Sequence, residues 1–405
     1  MALGTVSRCL SVARAKGRGK RVAVTIDAIR KPRVKPEHRP YRTVDGNIRI
    51  GSVIYGLGAE ISDPDGWIWT LTEAMDGARS PAEVAAAVRV RHPWLPAADV
   101  VEAMGELLAA GFLEDAGAGP PVELSEREHN RYAKGVPLLR WMDRQPRASA
   151  WELQLRLRRS RVLLVGVGGT GSFAAQALVS SGVGLLHCVE PDVVELSNLN
   201  RQLLFREDDI GCPKLDAALA SLRALNSDVA VTGERRAVGG PDDLAALLAP
   251  GYDLLALCAD HPAEVRGWAN TACLAAGTPW VDGGYRGPLV SVGVHVPGRG
   301  ACWECHRAGD RERRDLRLGP DQGEEAASPR MPWNPVNAVT AGLSGSLLAH
   351  AALALLTGVP AMEPGFRFGL NLVRPEEPAV DRFGRRTDCP ACGGAQCDTV
   401  STRRD

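Results

Sequence analysis

Four cysteines of this 405-residue sequence stand in two C-x-x-C pairs, Cys302-Trp303-Glu304-Cys305 and Cys389-Pro390-Ala391-Cys392. Four thiolates brought together make a closed tetrahedral site for Zn²⁺, and a closed site is structural because no position is left for water. Two redox dithiols are the rival reading of the same spacing. His306 and Cys397 are the alternative ligands the sequence offers beside these four. A metal knot here would pin the C-terminal segment to the core. It would also anchor residues 309–331, a charged, Gly/Pro-punctuated stretch that reads as an exposed mobile loop.

A second feature is the glycine turn Gly166-Val167-Gly168-Gly169-Thr170-Gly171, which follows the strand-like run VLLVG and opens a helix. Glycines permit the tight turn and let backbone approach a phosphate, while the helix N-terminus offers free N–H groups and partial positive charge. After the next strand-like run, LLHCVE, stand Glu190 and Asp192, and an acid there can bind ribose hydroxyls. NAD, FAD and ATP all satisfy this much. A tight turn without a ligand is the plain structural alternative.

The following segment, EPDVVELSNLNRQLLFREDDIGCPK (190–214), separates these cases. The glycine turn, the acid-x-Asp strand end, S-N-L-x-R-Q, G-x-x-K and a later strand-end Asp together resemble the ThiF/MoeB/HesA family of adenylating enzymes. These are bacterial relatives of ubiquitin-activating enzymes. The resemblance covers about residues 124–405. It implies that Gly166, Gly168, Gly169 and Gly171 hold nucleotide phosphates and that Glu190, where the family usually has Asp, takes the ribose. It implies that Asn198, Arg201 and Lys214 bind polyphosphate and that Asp260 holds Mg²⁺. The family carries the same paired cysteines.

Adenylation places negative charge on the α-phosphate and on departing pyrophosphate, so a site needs cations and a metal. Lysines are rare in this Arg-dominated chain, which makes Lys214 at the matching place informative. In the family an Arg of an R-Y-x-R-Q helix reaches the neighbouring subunit's ATP. Here the segment is Arg131-Tyr132-Ala133-Lys134-Gly135, so Lys134 or Arg131 takes that place, and the resemblance implies a homodimer. Many relatives form a thioester or disulfide through a loop cysteine, yet no cysteine lies between Cys305 and Cys389. The expected reaction is therefore ATP-dependent adenylation of a carboxylate or amide of a ribosomally made peptide, with direct transfer to a nucleophile. Relatives without that cysteine act in microcin-C-type and pantocin-type pathways. The alternatives are activation of a ubiquitin-like sulfur carrier and a non-catalytic leader-peptide scaffold for a partner cyclodehydratase. A dehydrogenase is disfavoured by S-N-L-N-R-Q.

The elements that must position these residues read as an α/β fold. Strand-like runs at 162–166, 185–190, 253–259, 279–284 and 289–296 alternate with helical patterns, which argues for a Rossmann-like, mostly parallel sheet over 161–405. Residues 37–117 read as a small winged-helix α+β domain. Ser80-Pro81-Ala82-Glu83 opens one of its helices with a capping box. RPYRTVDGNIRIG and the capped helix pair resemble a PqqD-like peptide-recognition domain, which captures a leader peptide as an added strand. DNA binding is the rival, but Glu83, Asp99, Glu102 and Glu106 offset the nearby arginines. Residues 1–36 read as a basic flexible tail or an over-extended gene start, and 118–160 as a linker with a dimerisation helix.

Forty-eight Lys+Arg balance forty-eight Asp+Glu. This excludes the broad basic surface of a non-specific nucleic-acid binder. No run of 18 apolar residues occurs, so no membrane span is expected. The scattered Cys9, Cys188, Cys212, Cys258, Cys273 and Cys397 read as reduced thiols, mostly in the core, consistent with a cytoplasmic protein.

Overall fold

The computed structural model describes residues 24–51, 53–313, 316–319, 321–327, 329, 331 and 333–393. Cys9 and Cys397 fall outside them, as does the basic stretch up to residue 23. The chain divides into two compact units, Met1–Leu155 and Arg156–Asp405.

The first unit has strands β1 (Pro32–Val34), β2 (Tyr41–Arg42), β3 (Ile48–Ile50), β4 (Ala59–Ile61) and β5 (Leu113–Asp115). β2-β3-β4 form an antiparallel sheet, and β1 pairs with β5. Three helices follow the small sheet: α1 (Trp67–Ala74), α2 (Pro81–Arg91) and α3 (Ala97–Ala109). Alternation along β3 turns Ile48 and Ile50 inward against Leu71, Val84, Met104 and Phe112. The capping box at Ser80 and Glu83 forms as the sequence indicates, with Pro81 at the first helical position.

One expectation changes here. Ile26 and Ile29 are buried and Pro32–Val34 is paired, so ordered structure begins well before residue 36. The 118–160 stretch, expected as a linker with a helix, carries two short helices here, α4 (Glu126–Tyr132) and α5 (Gly135–Met142). Arg140 of α5 bonds both Glu37 and Glu114, and the buried Lys35 donates to the Asp143 carbonyl at 2.8 Å. Through Glu114 the first of these contacts joins α5 to β5 of the same unit.

After α6 (Trp151–Arg159), the second unit is built on one eight-stranded sheet in the order β13-β12-β11-β10-β9-β6-β7-β8. β6 (Arg161–Val165), β7 (Leu185–Val189), β8 (Ala230–Glu234), β9 (Leu254–Leu257) and β10 (Trp280–Arg286) run parallel. β11 (Leu289–His295), β12 (Phe366–Asn371) and β13 (Pro378–Arg382) add an antiparallel flank. Successive residues of β6 serve opposite faces. Val162 and Leu164 pack against α7 (Gly169–Ser180), α8 (Lys214–Leu225) and α12 (Ala338–Thr357). Leu163 and Val165 pack against α9 (Pro241–Leu248) and α10 (Val265–Ala276). The remaining helix, α11 (Trp303–Arg313), starts just after Cys302, contains Cys305 and extends into the stretch expected as a loop. The result is helix–sheet–helix layering with a mostly parallel sheet.

α12 is long and apolar enough to cross a membrane by length and composition, with a mean hydropathy of 1.6. Its packing is that of a core helix. A Cβ on Gly345 would lie 2.4 Å from the Thr170 carbonyl oxygen, so small residues let α12 close directly on α7.

Candidate functional site

The glycine turn joins β6 to α7 at the carboxyl ends of the parallel strands, where open α/β sheets bind ligands. Gly166 has φ 91°, and a Cβ on it would meet the Ala259 nitrogen at 2.7 Å. A Cβ on Gly171 would lie 2.0 Å from the Gly166 carbonyl oxygen. Neither clash is with a side chain that could rotate away, so both positions require glycine. No side chain caps the start of α7, whereas the neighbouring start of α12 is capped by Asn337. The first amides of α7 thus lack a side-chain cap, and the helix dipole favours an anion there.

A chain of contacts runs from this turn to Lys214. The buried Glu190 accepts the Val167 N–H at 2.6 Å through Oε2 and the Asp192 N–H at 3.0 Å through Oε1. Asp192, exposed, accepts the nearly buried Lys214 Nζ at 3.0 Å. Asn198 is buried and caps the short turn before Arg201 by accepting the Glu195 N–H. Arg201 donates to the Ser197 carbonyl and to Asn200 Oδ1, each at 2.9 Å. Its Cδ lies 3.6 Å from where a Cβ on Gly169 would stand. Asp260 follows β9 and is exposed. Thus Gly166, Gly168, Gly169, Gly171, Glu190 and Arg201 gather at the turn, and Asp192 and Lys214 continue from it. Lys134 is exposed at the start of α5 in the first unit.

Two residues at the turn escaped sequence reading. Tyr285, near the end of β10, places its hydroxyl 3.2 Å from the same Gly169 Cβ position, where the charges of both Arg201 and Asp260 act on it. Burial pushes its phenol pKa up, Arg201 opposes this and Asp260 adds to it. Gln202, 3% exposed, has its amide nitrogen 3.8 Å from the position of a Cβ on Gly168. The R-Q pair of the motif was a signal for Gln202; nothing local marks Tyr285.

β10 is held from below by a buried charge network. Asp282 accepts from Arg266 and His295 at 3.0 and 2.9 Å and from Arg367 of β12. Burial alone would raise its pKa. Arg367, with His295 and Arg266, holds the carboxyl well below the usual carboxylate range. His295 also stacks on Trp280 with ring centroids 4.2 Å apart.

The four cysteines of the two pairs converge. Sγ separations are 3.8 Å for Cys302–Cys305, 3.6 Å for Cys302–Cys389 and 3.6 Å for Cys305–Cys392. All four sulfurs lie within 4.8 Å of one another. A tetrahedron with metal–sulfur bonds of about 2.3 Å has edges of about 3.8 Å, whereas a disulfide needs about 2.05 Å. The set fits a tetrahedral thiophilic metal, and an N–H from Arg386 to Cys305 Sγ at 3.4 Å supports one ligand. Among described residues, the remaining thiols Cys188 and Cys273 are buried, Cys258 is half-buried and Cys212 is exposed. Burial pushes the Cys188 thiol up to about 12, which disfavours a thiolate there.

The family model for ThiF matches residues 142–391. The sulfur carrier protein ThiS adenylyltransferase of Escherichia coli is 30% identical over 280 residues, covering 68% of this chain and all of that protein. The adenylyltransferase and sulfurtransferase MOCS3 of Sus scrofa is 32% identical over 274 residues, covering 68% of this chain and 55% of the relative. This chain thus spans about half the length of the MOCS3 relatives it matches. A crystal structure of E. coli MccB with ATP aligns at TM-score 0.66 and 21% identity, covering 89% of this chain and 99% of that one. PaaA aligns at TM-score 0.62 and 23% identity, covering 87% and 100%. These likenesses agree with the layered sheet and its glycine turn, and by the reach of the family model the chain belongs to the ThiF family.

Proposed function

We propose that this protein uses ATP to adenylate a carboxylate or amide of a ribosomally made peptide and passes the adenylate directly to a nucleophile. The observation that carries this reading is the uncapped α7 turn, with Arg201 beside it and Lys214 linked to it through Glu190 and Asp192. In this reading ATP phosphates rest on the Gly168–Gly171 amides and the ribose hydroxyls lie against Glu190. Asp260 holds Mg²⁺, which neutralises charge between the phosphates, and Arg201 and Lys214 stabilise leaving pyrophosphate. Lys214 exchanges its Asp192 partner for phosphate. An ionised carboxylate nucleophile needs no general base. The absence of a cysteine between Cys305 and Cys389 supports transfer without an enzyme thioester.

The four thiolates hold Zn²⁺ as a structural staple. The first unit recognises a leader peptide by strand addition, and two copies of the chain form the functional dimer with Lys134 or Arg131 contributing across it. The MccB likeness favours a peptide, since one MccB structure contains N-formylated MccA. The names of the sequence relatives favour a second reading, activation of a sulfur-carrier protein. ATP–pyrophosphate exchange separates them. Exchange stimulated by a peptide encoded beside the protein supports the first reading; exchange stimulated only by a carrier with a Gly-Gly tail supports the second. No exchange with either, and no ATP binding, refutes both.

A further inference from the structure

Tyr285 stands at a position that the motifs do not assign. It lies where β10 runs past the end of β9, and its hydroxyl reaches the first residue of α7, 3.2 Å from a Cβ built on Gly169. That point borders the start of α7, whose free N–H groups and dipole favour an anion. Two further segments fix the tyrosine there. Asn334 donates to the Tyr285 carbonyl at 2.5 Å and accepts the Gly287 N–H at 3.0 Å, bracketing the β10–β11 turn. Two residues on, the Val336 carbonyl accepts from Asn200, next to Arg201. Below, the buried Asp282 network anchors the same strand. The backbone that carries Tyr285 is therefore held on both sides, and the charges of Arg201 and Asp260 both act on its phenol.

Resting on the nucleotide reading of the turn, we propose that Tyr285 is a further catalytic residue whose hydroxyl donates a hydrogen bond to a non-bridging oxygen of the phosphate seated on the Gly168–Gly169 amides. Burial and the neighbouring Asp260 keep the phenol protonated, so it is a donor at neutral pH. Its neighbour Arg201 neutralises the same phosphate. A neutral donor held in place adds stabilisation without changing the site's charge.

The test is Tyr285→Phe, which keeps the ring and removes only the hydroxyl. Displacement of a fluorescent ATP analogue is measured with ATP and with adenosine. The expected result is about a tenfold loss of ATP affinity, the scale of one hydrogen bond to a charged group, with adenosine affinity within about twofold of the parent. ATP affinity within about twofold overturns the proposal. Equal losses for ATP and adenosine also overturn it, because a merely structural role weakens both. Failure of the peptide reading is seen separately, as ATP binding without peptide-stimulated exchange.

Discussion

Replacing Cys389 by Ala tests whether the four-cysteine cluster is a metal staple, and its size can be worked from the structure. Sulfur–sulfur edges of 3.6 and 3.8 Å imply a central ion about 2.2–2.3 Å from each sulfur in a regular tetrahedron, the Zn–S length. The link from Cys302 to Cys389 spans 87 positions. Closing a loop of that length is worth about 4–5 kcal/mol in the chain-entropy model of a cross-link. For a unit of this size about 1 kcal/mol corresponds to about 2–4 °C, so the variant should melt at least about 8 °C below the parent. The assay pairs thermal unfolding with metal analysis by mass spectrometry. The parent is expected to carry one zinc per chain and the variant none. Cys212→Ser, at an exposed thiol away from the cluster, should change neither readout. A parent without zinc, or a Cys389→Ala variant melting within about 2 °C of it, rules out a metal staple.

Two other perturbations probe different parts of the chain. Glu190→Asp withdraws the carboxylate by about one C–C bond, 1.5 Å, and so breaks the 2.6 Å bond from the Val167 N–H. Losing a charged bond to a buried N–H should cost about 1.5–3 kcal/mol and raise the KM for ATP, read by thermal unfolding and exchange kinetics; an unchanged melting temperature would contradict the assigned contact. His38 is fully buried, and burial first, then Lys35 and Arg144, lowers its pKa from 6.5 to about 4. Because the folded form resists protonation, stability is full above pH 6.5 and falls as pH drops towards 4, by about 3 kcal/mol. His38→Phe should flatten that part of the pH–stability curve; an equally steep loss in the variant would assign it to other groups.

Local patterns carried much of this fold and site. The glycine turn, the acid strand end and the cysteine pairs are short-range signals whose chemistry depends on adjacent residues, and the strands from β6 to β11 except β8 show as apolar runs. What escaped depends on long-range placement or on weak local signals. β1 meets β5 across some 80 residues, and neither strand exceeds three residues. β8 reads AVTGE, and β12 and β13 carry Arg, Asp and Pro, so none shows a clean apolar run. α12 is apolar on every side and contains Gly342 and Gly345, so it lacks the stripe that marks a surface helix. The glycines that weaken its helical signal are those that seat it against α7. Tyr285 gains its meaning only when β10 delivers it to a helix start more than a hundred residues earlier in the chain.

The fate of one oxygen atom distinguishes adenylation from other uses of ATP. A peptide that stimulates exchange is prepared with ¹⁸O in the carbonyl or carboxylate to be activated, then turned over with ATP and its nucleophile. If that oxygen attacks the α-phosphorus and a nucleophile then attacks the activated carbon, the C–O bond breaks and each AMP released carries one ¹⁸O. AMP without label, or ADP and phosphate in its place, would contradict the account.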